Sequence, residues 1–192
     1  MQNFFSDGEN FMNDSELTWK ETDRQEVYKT PVFTVTERTS TGPDGQKGKY
    51  IVNECRDWVI VIPSEKDNFL MVKQWRHGEK ALSTEFPGGV IETDETPEQG
   101  ARRELLEETG AEAGELKLLG RMNPNPALFS NHVYVYCATK LTSKGKQNLD
   151  SDEFVQYFSV PKKEVFEKIG TEEYPHALMA SAVALYRKNY EE

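Results

Sequence analysis

Histidine and cysteine are scarce in this chain of 192 residues, with three of the first and two of the second. Cys55 and Cys137 are too few for a disulfide framework. Both stand in strand-like apolar contexts, so we read them as buried free thiols in a reducing, cytoplasmic setting. No His/Cys spacing suggests zinc, and His77, His132 and His176 read as structural or surface residues. Basic clusters are also missing. None is longer than a pair such as Lys162-Lys163, while the formal net charge is −10. Such a surface repels a phosphate backbone, which argues against long RNA or DNA as a partner. The N-terminal M-Q-N-F-F-S-D-G-E-N has neither a basic stretch nor a long apolar core, so no signal peptide is expected. An apolar stretch such as Trp58–Ile62 is far too short to span a bilayer, and no membrane partner is expected. No internal repeat or low-complexity tract is present.

The most informative segment is G-G-V-I-E-T-D-E-T-P-E-Q-G-A-R-R-E-L-L-E-E-T-G-A, from Gly88 to Ala111. Thr96 is a good N-cap, Pro97 suits the first helical position, and Gln99 closes a capping box onto Thr96. Gly110 supplies a left-handed stop. The sequence therefore predicts a helix of about 13 residues over Pro97–Thr109, with Ala101 and Leu105 facing inward. Glu104 and Glu108 are one turn apart and Glu107 lies beside both, so three carboxylates share a patch next to a glycine loop. Arg103 reaches Glu107 one turn on and offsets part of the repulsion. Taken alone, E-L-L-E-E is an ordinary solvated acidic face. The whole spacing argues otherwise. Seven specified and two apolar residues at fixed intervals arise by chance at a given position on the order of once in 10⁹. Crowded carboxylates beside a loop call for a divalent cation, and cations held that way handle phosphates.

Around this segment the chain alternates strands and helices. Residues 1–18 read as a frayed polar arm. Tyr28–Glu37 reads as a strand, Gly42-Pro43-Asp44-Gly45 as a turn, and Tyr50–Asn53 as the returning strand. Trp58–Ile62 and Phe69–Gln74 form a strand pair joined by the polar turn Ser64–Asn68. Leu118–Met122, Val133–Leu141 and Phe154–Val160 are further strands, with the polar loop Thr142–Asp152 between the last two. Lys162–Ile169 and His176–Lys188 are helices. This order gives a mixed sheet between helices, an α/β (α+β) fold of α/β/α sandwich type. An N-terminal antiparallel β extension (1–55) precedes a main domain (56–192). The extension has little to bury within itself.

From Gly89 the segment runs Gly, five residues, Glu95, seven residues, Arg103-Glu104-Leu105, one residue, Glu107-Glu108, one residue, Gly110 and apolar Ala111. It resembles the Nudix box without departure at the defining positions, and the fold expected is accordingly Nudix-like. Residues from roughly Trp19 to Tyr190 resemble the ADP-ribose and nucleotide-sugar pyrophosphatase branch. V-K-Q-W-R-H-G at Val72–Gly78 with E-F-P-G-G at Glu85–Gly89, Pro126 placed 15 residues beyond Ala111, and E-V-Y-K-T-P-V-F-T-V at Glu26–Val35 carry that likeness. It implies a homodimer built through the N-terminal sheet, and hydrolysis of a pyrophosphate bond with Mg²⁺, or alternatively Mn²⁺, as two or three ions. Glu104 and Glu108 are the first metal ligands by box position. Glu107 follows, and the Gly88 carbonyl is a further candidate because glycine lets backbone approach an ion. Glu95 and Arg103 read as supporting residues. In this branch a general base comes from a loop acid after the box. Asp150-Ser151-Asp152-Glu153 occupies that place, with Glu153 first and Asp152 second, although these acids also fit a merely solvated loop. Glu107 is the alternative base. Arg76 is a candidate phosphate or sugar contact, or else a surface salt bridge. Tyr28 and Phe33 suit base stacking or simple packing, and Pro126 is grouped with the substrate contacts through the same likeness.

The leading expectation is therefore a Mg²⁺-dependent hydrolase of ADP-ribose or another nucleoside diphosphate sugar, a small-molecule partner. One alternative is a pyrophosphohydrolase of nucleoside triphosphates or RNA 5′ ends. The acidic charge and the N-terminal extension count against it. Another is a non-catalytic module that senses a nucleotide sugar. Such modules often lose box carboxylates, and all are present here.

Overall fold

The computed structural model describes residues 13–143 and 145–190. By its internal contacts the chain divides into two compact units, Met1–Cys55 with Pro126–Ser130, and Arg56–Asn125 with Asn131–Glu192. Residues 1–12 of the expected polar arm lie outside the described residues. The remainder of that arm is more ordered than expected: α1 (Asp14–Leu17) is a single helical turn, closed by a capping box between Asn13 and Glu16.

The smaller unit is a three-stranded antiparallel sheet of β1 (Lys20–Lys29), β2 (Phe33–Thr41) and β3 (Lys47–Cys55), in that order. The single strand expected over Tyr28–Glu37 is in fact the end of β1 and the start of β2. Thr30 divides them: its Oγ1 accepts the Val32 and Phe33 N–H groups at 3.1 and 2.9 Å, and Pro31 follows it. That side-chain turn offers the backbone a local alternative to continuing the strand. β1 escaped a pattern reading because all ten of its residues are exposed, so it shows no alternation. The turn at Gly42–Gly45 is as expected, with Gly45 at φ 86°.

The larger unit holds β4 (Trp58–Glu65), β5 (Asn68–Arg76), β6 (Ala81–Glu85), α2 (Pro97–Thr109), β7 (Ala111–Met122), β8 (Val133–Ser143), β9 (Gln156–Pro161), α3 (Lys162–Lys168) and α4 (Ala177–Tyr190). Its sheet runs β6-β5-β4-β8-β7, with β9 also on β5. The β4–β8 pair is parallel and the other pairs are antiparallel, which makes the sheet mixed. Alternate residues of β4 serve two cores, as side chains of a strand must. Ile60 and Ile62 pack with Phe69, Leu178, Met179 and Ala182. Val59 and Val61 pack with Ala101 and Leu105 of α2. The result is the expected α/β/α sandwich.

One expectation needs correction. β4 and β5 form a pair only at Ser64↔Phe69 and Glu65↔Asn68, after which they part. β4, buried on both faces, takes β8 as its long parallel partner instead, the environment such apolar strands require. On its other side the glycine loop moves in. Val61 N–H donates to Pro87 O and Val59 N–H to Gly89 O, each at 2.9 Å. The short strand β6 also went unread, since A-L-S-T-E carries little apolar signal. This parting of β4 from β5 is what sets Gly88–Gly89 against α2.

Candidate active site

Helix α2 is built as its local chemistry requires. Thr96 Oγ1 accepts the Gln99 N–H at 3.3 Å, and Gln99 Oε1 accepts the Thr96 N–H at 2.8 Å. Gly110 ends the helix at φ 68°, ψ 12°. Its buried side chains include Ala101, Leu105 and Glu108, which fall on one stripe at i, i+4 and i+7. One carboxylate therefore sits on the apolar face: Glu108 is 4% exposed. Its Oε2 accepts the Gly88 N–H at 2.9 Å, which ties helix to loop.

Around Glu108 the charges are arranged in two groups. Arg103 gathers the outer acids. Its Nε and Nη2 hold the two oxygens of Glu95 at 2.7 and 2.9 Å, and Nη1 holds Glu104 Oε1 at 2.8 Å and Glu107 Oε2 at 3.0 Å. Hydrogen bonds from Arg103 keep Glu95 below the usual carboxylate range, and those to Glu95, Glu104 and Glu107 raise Arg103. Glu95 also accepts the Glu92 N–H at 3.0 Å, so it braces the loop as well as the arginine. Arg76 forms the second group. It gives Nε and Nη2 to the oxygens of Glu85 at 2.8 and 2.5 Å. Arg76, the last residue of β5, is thus the partly exposed half of an ion pair whose acid is 1% exposed. Burial alone would raise Glu85, but the Arg76 guanidinium holds it below the ordinary range.

Among the described residues no cation is bonded to Glu108, and the effect of its burial is large. Burial pushes its pKa up to about 8. The Gly88 N–H opposes this, Glu104 and Glu153 add to it, and Arg76 opposes it. Glu104 is raised for the same first reason, burial, with Arg103 opposing and Glu107 and Glu153 adding. Buried Glu108 and half-buried Glu104, both raised despite the arginines near them, mark a place where added positive charge would be welcome. A divalent cation fits that donor set. Among the described residues no three acidic, His or Cys side chains converge into a finished cage. An ion that keeps several waters and shares substrate oxygens needs only one or two carboxylates. The glycine loop suits the same role. Consecutive carbonyls of an extended chain alternate, and those of Pro87 and Gly89 are taken by β4. The Gly88 carbonyl therefore points to the opposite edge, where its own N–H meets Glu108.

Gly89 has a steric reason to be glycine. A Cβ there would stand 2.5 Å from Glu104 Oε1, the movable end of a side chain. Gly89→Ala should therefore keep the fold and displace that carboxylate. We expect its melting temperature to stay within a few degrees of the parent's while kcat falls roughly 10- to 100-fold, since an ångström of misplacement is enough for that. Differential scanning fluorimetry beside steady-state kinetics checks both halves.

The structure brings Glu104, Glu107, Glu108, Gly88, Glu95 and Arg103 into one cluster and sets Arg76 within electrostatic reach of Glu108. Asp152 and Glu153 are exposed on the loop before β9, and Glu153 Oε2 accepts the Asp150 N–H at 3.3 Å. Tyr28, Phe33 and Pro126 are residues of the smaller unit: Tyr28 and Pro126 are exposed, and Phe33 is half-buried. Sequence reasoning gave no role to Glu85. Its signal was an acid ending an inward-facing strand, directly before the glycine loop. His176 is not surface-bound either. Its Nδ1 accepts the Leu178 N–H at 3.1 Å at the start of α4, and burial lowers its pKa while Glu85 opposes. It shares with Arg76, Glu85, Gly88 and Gly89 the lining of a cavity of about 250 Å³.

Known proteins give this geometry a lineage. Residues 55–180 match the family model described as NUDIX domain. The chain is 31% identical over 143 residues to an ADP-ribose pyrophosphatase of Bacillus subtilis (strain 168), covering 73% of this chain and 77% of that protein. It is 32% identical over 129 residues to a methanol dehydrogenase activator of Bacillus methanolicus, covering 66% and 70%. A crystal structure of an ADP compounds hydrolase superposes with a TM-score of 0.80 at 22% identity, over 92% of this chain and 96% of that one, a likeness of fold. The helix, its acids and the glycine loop therefore sit in a member of the NUDIX domain family, and the chain is a Nudix hydrolase.

Proposed function

We propose that the protein hydrolyses the pyrophosphate bond of a nucleoside diphosphate sugar, with ADP-ribose as the first substrate. The observation that carries this is Glu108, buried with no cation bonded to it among the described residues, beside Glu104 and the Gly88–Gly89 loop. Nudix hydrolases use divalent metal ions. We assign Mg²⁺ here, as two or three ions, with Mn²⁺ as the substitute. Glu104, Glu108 and the Gly88 carbonyl would hold them first, and Glu107 next. Bound there, the ions would supply positive charge for the phosphate oxygens and make water easier to deprotonate. The water oxygen bonds to one phosphorus and the P–O bond to the bridging oxygen breaks. The products are a nucleoside monophosphate and a sugar phosphate.

The chain's own groups do the rest. Arg103 and Glu95 hold the outer carboxylates in place. Arg76, oriented by Glu85, offers its guanidinium to phosphate or sugar oxygens. Glu153 takes the proton from the attacking water, with Asp152 and Glu107 as the substitutes. Glu153→Gln should slow kcat by roughly 100-fold, the lower part of the range for general bases, and leave metal activation unchanged. A parent-like rate in Glu153→Gln would move the base elsewhere.

For the remainder of the chain we propose an N-terminal extension (1–55) that pairs two copies, ahead of a hydrolase domain (56–192). Val27, Tyr28, Tyr50 and Ile51 are exposed on its strands and Val32 on the turn between β1 and β2, apolar side chains that a second copy would cover. Tyr28 and Phe33 would then be placed for base stacking in the dimer, and Pro126 for lining the substrate. Cys55 and Cys137 are both free thiols, in keeping with a cytoplasmic enzyme. The deciding experiment is a panel of ADP-ribose, GDP-mannose, UDP-glucose and dGTP with Mg²⁺, read by phosphate release after phosphatase coupling. Turnover of ADP-ribose or a second nucleotide sugar supports the reading. Turnover of dGTP alone makes it a triphosphate pyrophosphohydrolase, and no turnover makes it a sensing module.

A further inference from the structure

The four last carbonyls of a helix have no partner within it. In α2 the Leu106 carbonyl is met by the Gly110 N–H, the ordinary glycine stop. The next two are met by the loop that follows β8. Asn148 N–H donates to Glu107 O at 2.9 Å. The Gln147 side-chain amide donates to Glu108 O at 2.6 Å and also to Val155 O at 3.0 Å. An amide NH₂ has two hydrogens, and both partners are carbonyls, so each hydrogen has one acceptor. Residues 147 and 155 are the two ends of the loop that carries Asp150, Asp152 and Glu153. Gln147 therefore closes the neck of the acidic loop and fastens it to the backbone of Glu108.

We propose that Gln147 is a positioning residue, which sets Glu153 against Glu108 by clamping Glu108 O and Val155 O with one amide. The proposal rests on the reading of Glu153 as the group that takes the proton from water. Among the described residues the ties that order the loop include the clamp, the Asn148–Glu107 bond, and the turn in which Glu153 N–H donates to Asp150 O at 3.1 Å and Glu153 Oε2 accepts the Asp150 N–H at 3.3 Å. The clamp joins residues 147 and 155 of the loop to the helix through one side chain. Glu153 lies close enough to Glu104 and Glu108 to act on the charge of both.

The test is a double-mutant cycle with Gln147→Ala, Glu153→Gln and the pair, assayed on ADP-ribose at saturating Mg²⁺. Gln147→Met, of similar length but with no donor, serves as a second single variant that keeps the packing. We expect kcat to fall roughly 10- to 100-fold in either Gln147 variant, with KM and the Mg²⁺ activation constant unchanged. We expect the double variant to be no slower than Glu153→Gln alone, because a positioning residue has nothing left to position. Hydrogen exchange at the Asn148 amide should quicken in both Gln147 variants at unchanged melting temperature. Parent-like kcat in both Gln147 variants beside a slow Glu153→Gln overturns the inference and leaves the role of Glu153 standing. Additive losses in the double variant also overturn it. A parent-like rate in Glu153→Gln overturns the role of Glu153 and this inference with it.

Discussion

Glu108→Gln is expected to lower kcat by about 10³-fold or more, equivalent to ~4 kcal/mol of lost transition-state stabilisation, with the fold intact. The substitution keeps the volume of a side chain that is 4% exposed and sits on the apolar stripe of α2. It removes a carboxyl group whose bonded partner among the described residues is the Gly88 N–H. An amide oxygen in place of that carboxylate accepts the same N–H bond, so the tie between helix and loop survives. What is lost is the carboxylate oxygen that an ion would take. The metal-free variant should accordingly melt at or above the temperature of the parent, because a buried unpaired acid costs stability and a neutral isostere does not. Steady-state kinetics at saturating Mg²⁺, beside thermal melts in chelator, measure the two effects. Parent-like turnover would remove Glu108 from the metal site.

Gly88→Ala is expected to act on stability instead. A Cβ at this position would stand 2.2 Å from Val59 O, a backbone atom inside the sheet. Backbone in β4 has nowhere to go. It is held by its parallel partner β8 on one side and by the Val59–Gly89 and Val61–Pro87 hydrogen bonds on the other. Relief requires the glycine loop to pull away, which breaks those two bonds and the one from Gly88 N–H to Glu108. We expect a loss of about 3 kcal/mol or more, in the upper range for overpacking, and a melting temperature lower by roughly 10 °C. Urea unfolding with and without Mg²⁺ measures it. The contrast with Gly89→Ala is the diagnostic. The neighbouring glycine meets a mobile carboxylate at a similar distance, so one substitution should cost activity and the other stability.

The helix at the centre of the site was legible in the sequence to the residue, because its signals are local. Thr96, Pro97, Gln99 and Gly110 each act within one turn, and the interval from Gly89 to Ala111 fixed which side chains share a face. The sandwich followed from the order of strands and helices. What escaped the sequence depends on distant partners. The separation of β4 from β5 is decided by β8, more than sixty residues on, and by a loop that replaces a strand. Glu85 lies among ordinary strand residues, and only the fold brings Arg76 across the β5–β6 pair to it. Gln147 stands in a polar stretch with nothing to distinguish it until α2 presents its terminal carbonyls. β1 was missed for the opposite reason: its ten residues are all exposed, so burial left no pattern to read.

The most direct measurement is the anomalous scattering of Mn²⁺ in a crystal grown with a non-hydrolysable analogue of ADP-ribose. Peaks bound by Glu104 and Glu108, with the Gly88 carbonyl and the bridging diphosphate completing the shell, are the predicted result. A diphosphate seated in the same cleft with those two side chains holding no ion would contradict the account at its root.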